Sequence, residues 1–121
     1  MKIITASYQG QRTSDNRDVV LHTSNNDVVL CMLVDGASGR AQSGELALHL
    51  SSVVREGFEA FIPKQLLPMN IKPSLVNLLK TAQQQAKKLS PAATASFNIV
   101  LIIDSMALTL YLGDCLLATV N

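Results

Sequence analysis

Hydrophobic and polar positions alternate between two periods along this chain, and the change of period marks its elements. The clearest run is Val28-Val-Leu-Cys-Met-Leu-Val34, seven apolar residues rich in β-branched types. Such a run predicts a strand buried on both faces. It ends on Asp35, and Gly36-Ala37-Ser38-Gly39 then turns the chain. Before it, Lys2 to Tyr8 alternates weakly and is expected to be a first strand. Gln9 to Asp18 is polar and reads as a loop, and Val19 to Thr23 as a short strand. Ser24-Asn-Asn-Asp27 has hairpin composition, so Val19–Thr23 and Val28–Val34 are expected to pair antiparallel. Equal arms around that turn bring Asp18 and Asp35 to the same end of the sheet.

The period then lengthens. Leu46, Leu50, Val53, Val54, Phe58 and Phe61 recur at spacings of three and four, predicting a helix from about Gly44 to Phe61. Ser43 is the expected cap, and Glu45 suits the first turn. Pro63 and Pro68 are expected to break the connection, and Pro73 to open a second helix. The apolar face of that helix is Leu75, Leu78, Leu79, Ala82, Ala86 and Leu89; Lys80, Gln83, Gln84, Gln85, Lys87 and Lys88 form a solvated face. Lys87 and Lys88 complement the helix dipole and give no separate reason for a binding patch. After the small residues of Ser90 to Ser96, Phe97 to Ile103 is a second buried strand. Asp104-Ser105 turns the chain into Met106 to Leu112, and Cys115 to Val120 is expected to add one more strand. Strands, two helices, then strands indicate an α+β fold: a mainly antiparallel β-sheet packed against two antiparallel helices.

Composition narrows the classes. The chain has 121 residues, 48% hydrophobic and 16% charged, and a formal net charge of +1. It fits a single domain, 1–121, and excludes a disordered chain. A charge this small gives no argument for nucleic acid or an anionic membrane. No apolar run approaches the roughly 18 residues of a membrane span, and no signal-peptide pattern opens the chain. Cys31 and Cys115 lack metal-ligand spacing and read most simply as reduced core thiols of a cytoplasmic protein, with a disulfide as the alternative that nothing in the sequence favours. His22 and His49 have no partner at ligand spacing and are read as structural.

Chemistry concentrates at Asp35. A carboxylate at the mouth of a buried strand needs a partner, and Gly36 lets backbone approach a ligand there. A turn-forming or capping Asp is the plainer reading. Gly36-Ala37-Ser38-Gly39 after a strand is also a weak dinucleotide-binding signal. Asp35 would then face the pyrophosphate charge, and the turn should open a parallel βαβ unit, which is not expected here.

Three motifs in register resemble the metal-dependent protein phosphatases of type 2C, in their bacterial form. Gln9-Gly10-Gln11-Arg12 followed by Asn16-Arg17-Asp18 resembles the opening motif. Val34-Asp35-Gly36-Ala37-Ser38-Gly39-Arg40 with Gly44-Glu45 is similar to the Asp-Gly-x-Gly-Gly-His stretch and the helix start after it. Ala93-Thr94-Ala95, its strand, and Leu112-Gly113-Asp114-Cys115 resemble the third. The resemblance implies the N-terminal half of a phosphatase domain, and so half of a β-sandwich. It implies hydrolysis of a phosphoserine or phosphothreonine ester by a water that Mn²⁺ or Mg²⁺ activates. By resemblance, Asp35 bridges two ions, the Gly36 carbonyl ligates one, and Asp18 holds a metal-bound water. Arg12 grips the substrate phosphate, and Asp114 lies near a further, weaker ion.

Departures from the pattern matter. Arg17 and Arg40 replace a Glu and a His, Arg12 and Asp18 stand one residue further apart, and the aspartates of the family's second half are absent. A phosphatase that is incomplete or weakly active as this chain alone is therefore expected, with a non-catalytic binding or regulatory module as the alternative. The expected partner is a phosphoprotein, together with a second copy through an exposed sheet edge after Asn121.

Overall fold

The structure is a computed structural model and describes residues 2–8, 16–25, 27–37, 41–61 and 68–115. Among these residues, four strands form one antiparallel sheet in the order β1-β2-β3-β4, with β1 at Asp18–Asn25, β2 at Val28–Gly36, β3 at Ala95–Ile103 and β4 at Met106–Leu112. Two helices, α1 at Ser43–Phe61 and α2 at Pro68–Leu89, join β2 to β3. The α+β class and the antiparallel sheet follow the sequence reading. The helices run antiparallel, since His49 Nε2 meets Gln85 Oε1 at 3.1 Å while Leu78 packs over Gly57 further along.

Alternation along the strands separates two faces. Val28, Leu30, Met32, Val34 and Gly36 of β2 are buried, whereas Val29, Cys31 and Leu33 are half-buried and Asp35 is exposed. The buried set joins Ile99 and Leu101 of β3 in one core with Ala47, Leu50, Val54 and Phe58 of α1 and Ile71, Leu75, Leu79 and Ala82 of α2. The spacing of three and four therefore aims α1 and α2 at one face of the sheet. Both helices lie on this face, so β2 is fully buried on one side rather than two. On the far face Asn98 is 7% exposed, and its Oδ1 has no hydrogen-bond partner among the described residues.

Several boundaries differ from the sequence reading. Residues 2–8 carry no strand; a weakly alternating run gains nothing without a neighbour to pair with. The β1–β2 hairpin pairs all the way to Asn25↔Val28, so Ser24 and Asn25 belong to the strand. Pro68 opens α2 instead of breaking the connection, and Pro73 lies inside it. A proline fits a first turn, whose N–H groups have no intrahelical acceptor. Asp104 turns β3 into β4 with φ 52°, a conformation that Asp tolerates better than most residues. The expected strand at Cys115–Val120 lies outside the described residues beyond Cys115, which is itself not in a strand.

Candidate active site

The hairpin register places Asp18 directly opposite Asp35, the last cross-strand pair of β1 and β2. Both point to the far face of the sheet and both are exposed. Asp35 pairs with Ser96 of β3 on its other side. Ser96 Oγ donates to Asp114 Oδ1 at 2.9 Å, which brings the third predicted aspartate toward the same end of the sheet. The carboxyl of Asp35 is held above its ordinary range. Loss of hydration is the largest cause, followed by a hydrogen bond with the Asp18 side chain and the negative charges of Asp18 and Asp114.

Backbone geometry fixes this corner. Gly36 N donates to Arg17 O at 3.0 Å, and Ala37 N donates to Thr94 O at 2.9 Å. A Cβ on Gly36 would lie 2.6 Å from Ser43 O and 2.8 Å from Arg17 O, both backbone atoms, so only glycine fits. Gly36 thus joins three segments: the entry to β1, the end of β2 and the start of α1. Ser43 is fully buried, and its Oγ accepts from Thr94 N at 3.1 Å. The expected capping serine is therefore the tie between α1 and the entry to β3. The first-turn N–H of Leu46 is taken by Gln42 O at 3.0 Å, and Gln42 itself has φ 61°. Gly113, with φ 89°, lies against Ser96, where a Cβ would come within 2.3 Å of Ser96 Cβ. That close approach aligns Asp114 with Ser96.

Arg17, which stands where an acid was expected, donates from Nη1 to Ala37 O at 3.1 Å. Its cation clasps the loop after β2. Asp18 N donates to Asn16 Oδ1 at 3.1 Å, and Asn16 Nδ2 donates to Ser7 Oγ at 2.8 Å, so the approach to β1 is also tied down. Arg12 lies outside the described residues, as do Ser38, Gly39 and Arg40. Of the predicted site residues, the structure brings together Asp18, Asp35, Gly36 and Asp114. The sequence reading missed Ser96 and Thr94, which act only through pairing partners far along the chain. The signal for Ser96 is its place opposite Asp35 once β2 and β3 are aligned.

The donor set suits a hard divalent ion in kind, being carboxylate oxygens whose mutual repulsion a cation relieves. It is short in number. No group of three His, Cys, Asp or Glu side chains among the described residues is placed to hold one ion. Cys31 and Cys115 are free thiols, and burial pushes the Cys31 thiol up, away from the thiolate that soft metals prefer.

No protein-family model matches the sequence, and no curated protein sequence matches it. Solved structures share its fold, among them two serine/threonine phosphatases. The S. agalactiae serine/threonine phosphatase superposes with a TM-score of 0.79 at 17% identity, covering 90% of this chain and 47% of that one. The Mycobacterium tuberculosis serine/threonine phosphatase PstP/Ppp superposes with a TM-score of 0.68 at 16% identity, covering 90% of this chain and 45% of that one. The chain has the fold of part of a type 2C-like serine/threonine phosphatase, and it spans less than half the length of these neighbours.

Proposed function

We propose that this chain carries part of the metal centre of a metal-dependent serine/threonine phosphatase and is inactive or weakly active by itself. The observation that supports this most is the Asp18↔Asp35 register. It sets two carboxylates side by side at a sheet end, where structural economy alone would avoid like charges. Asp18 and Asp35 would hold a Mn²⁺ or Mg²⁺ ion, with the Gly36 carbonyl as a further oxygen ligand and Asp114 near a weaker position. Such an ion supplies Lewis acidity toward phosphate oxygens and acidifies water. The chain's own part is to hold the oxygens in place. Gly36 fixes the end of β2, Arg17 holds the loop after it, and Ser96 orients Asp114. Arg12 is proposed as the phosphate-gripping side chain. Two or three carboxylates are too few for tight binding of two ions, which underlies the expectation of little turnover.

Mn²⁺ titration by calorimetry of the chain beside Asp35→Ala tests this reading. Binding in the first that disappears in the second is expected. Mn²⁺-dependent turnover of a phosphopeptide by this chain alone would overturn its incompleteness. One observation favours a second reading, a non-catalytic module with the phosphatase fold. The Arg17 guanidinium donates to Ala37 O, which puts a cation beside the loop that follows Asp35. The absence of Mn²⁺ binding in both proteins would make that reading the better one.

A further inference from the structure

A cavity of about 680 Å³ lies on the helix side of the sheet, between α2 and the edge strand β4. It borders the carboxylate corner through Thr94 and Ala95, but its walls are apolar, with Leu50, Leu79, Phe97 and Leu110, and no carboxylate among the described residues lines it. The volume falls within the range of about 300–1,000 Å³ typical of small-molecule sites. Filling an apolar cleft of that size with an apolar body is favourable, because it removes apolar surface from water. One flank differs. Lys80, Gln83 and Lys87 are exposed and lie three and seven residues apart, so they form one stripe along α2 at the rim. Neither lysine pairs with a carboxylate among the described residues. Leu112, 62% exposed on β4, marks the opposite lip. The stripe that reads in sequence as a plain solvated face therefore borders an apolar cleft.

We propose that this cleft binds a single-chain amphiphile with an anionic head, of the long-chain fatty acid class. The alkyl chain contacts Leu50, Leu79, Phe97 and Leu110, and the head group accepts charge-assisted hydrogen bonds from Lys80 and Lys87. Charge complementarity selects this occupant. A neutral amphiphile leaves both cations unmatched, and a basic one meets repulsion. The inference does not rest on the phosphatase reading, since the side chains that contact the ligand are neither the carboxylates of that site nor the residues that position them.

The test is calorimetry and native mass spectrometry of the 121-residue chain with hexadecanoate below its micellar concentration. One equivalent bound is expected. A variant carrying Lys80→Glu and Lys87→Glu should bind at least about tenfold more weakly. Both changes are on exposed positions, and an unaltered thermal melt verifies the fold. Hexadecanol, which shares the tail and lacks the charge, should bind both proteins alike. No binding, binding that begins only with micelles, or equal hexadecanoate affinity in the two proteins overturns the proposal. Association with phosphatidylglycerol vesicles without uptake of free hexadecanoate overturns it as well, and assigns the lysines to a membrane surface.

Discussion

Asp35 is exposed at the end of β2, yet it shares its surroundings with two other carboxylates, and this sets its behaviour with pH. A carboxyl whose folded pKa is raised binds its proton more tightly when folded than when unfolded. Its ionisation therefore costs stability. The cost is absent below the unfolded value, about 3.8, and grows as pH rises through the window up to the raised folded value. Asp35→Asn removes that cost. At pH 7 the variant should be more stable than the parent by a few tenths of a kcal/mol, a figure kept small by solvent screening. The gap should close on acidification toward pH 4 in urea melts of both proteins. The opposite trend would mean that Asp35 gains more from its neighbours than it loses. Gly36 is governed by space rather than charge. Gly36→Ala must push apart Ser43 O and Arg17 O, which belong to two different backbone segments. A loss of about 1–3 kcal/mol is expected by the same melts.

At the scale of elements, α1 is secured at its start by an unusual tie. Ser43 Oγ is the acceptor for Thr94 N, 51 residues away, and no water reaches it. Ser43→Ala removes the acceptor of that N–H and should cost about 0.5–1.5 kcal/mol in chemical unfolding. Ser43→Thr keeps the oxygen but adds a methyl group to a filled site, so it rescues only in part. The contrast between what was legible and what was not has the same origin. The hairpin was readable because strand period and turn composition are local, and its equal arms fixed the partner of Asp18 without any knowledge of the rest. The extent of α1 was readable for the same reason. Pro68 was not, because proline is both a breaker and a favoured first-turn residue, and only tertiary packing decides between them. Nor was the Ser43–Thr94 bond, because a serine before a helix is a cap far more often than a long-range tie.

At the scale of the molecule, β2 and β3 are central and β1 and β4 form the edges among the described residues. The pairing of β2 with β3 runs over nine residues, from Val28↔Ile103 to Gly36↔Ala95. Amide exchange should accordingly be slowest in Leu30, Met32, Ile99 and Leu101 and fastest in the outward-facing groups of β4. Uniform protection across the four strands would mean that the edges are covered in solution. The sequence predicts the core face well, because five elements, β1 to β3 with α1 and α2, turn apolar residues toward it. It overstates the burial of β2, whose second row of apolar residues looks equally core-like in one dimension.

That second row, Val29, Cys31 and Leu33, continues without interruption into Asp35, with Val20 and Asp18 beside it. Apolar surface and paired carboxylates therefore share one plane. Any layer laid against the sheet there also roofs the charges, and must either leave them water or bring countercharge. Covering the face and neutralising Asp18 and Asp35 are thus linked equilibria: whatever neutralises the acids makes coverage easier, and coverage strengthens the hold on whatever neutralises them by the same factor.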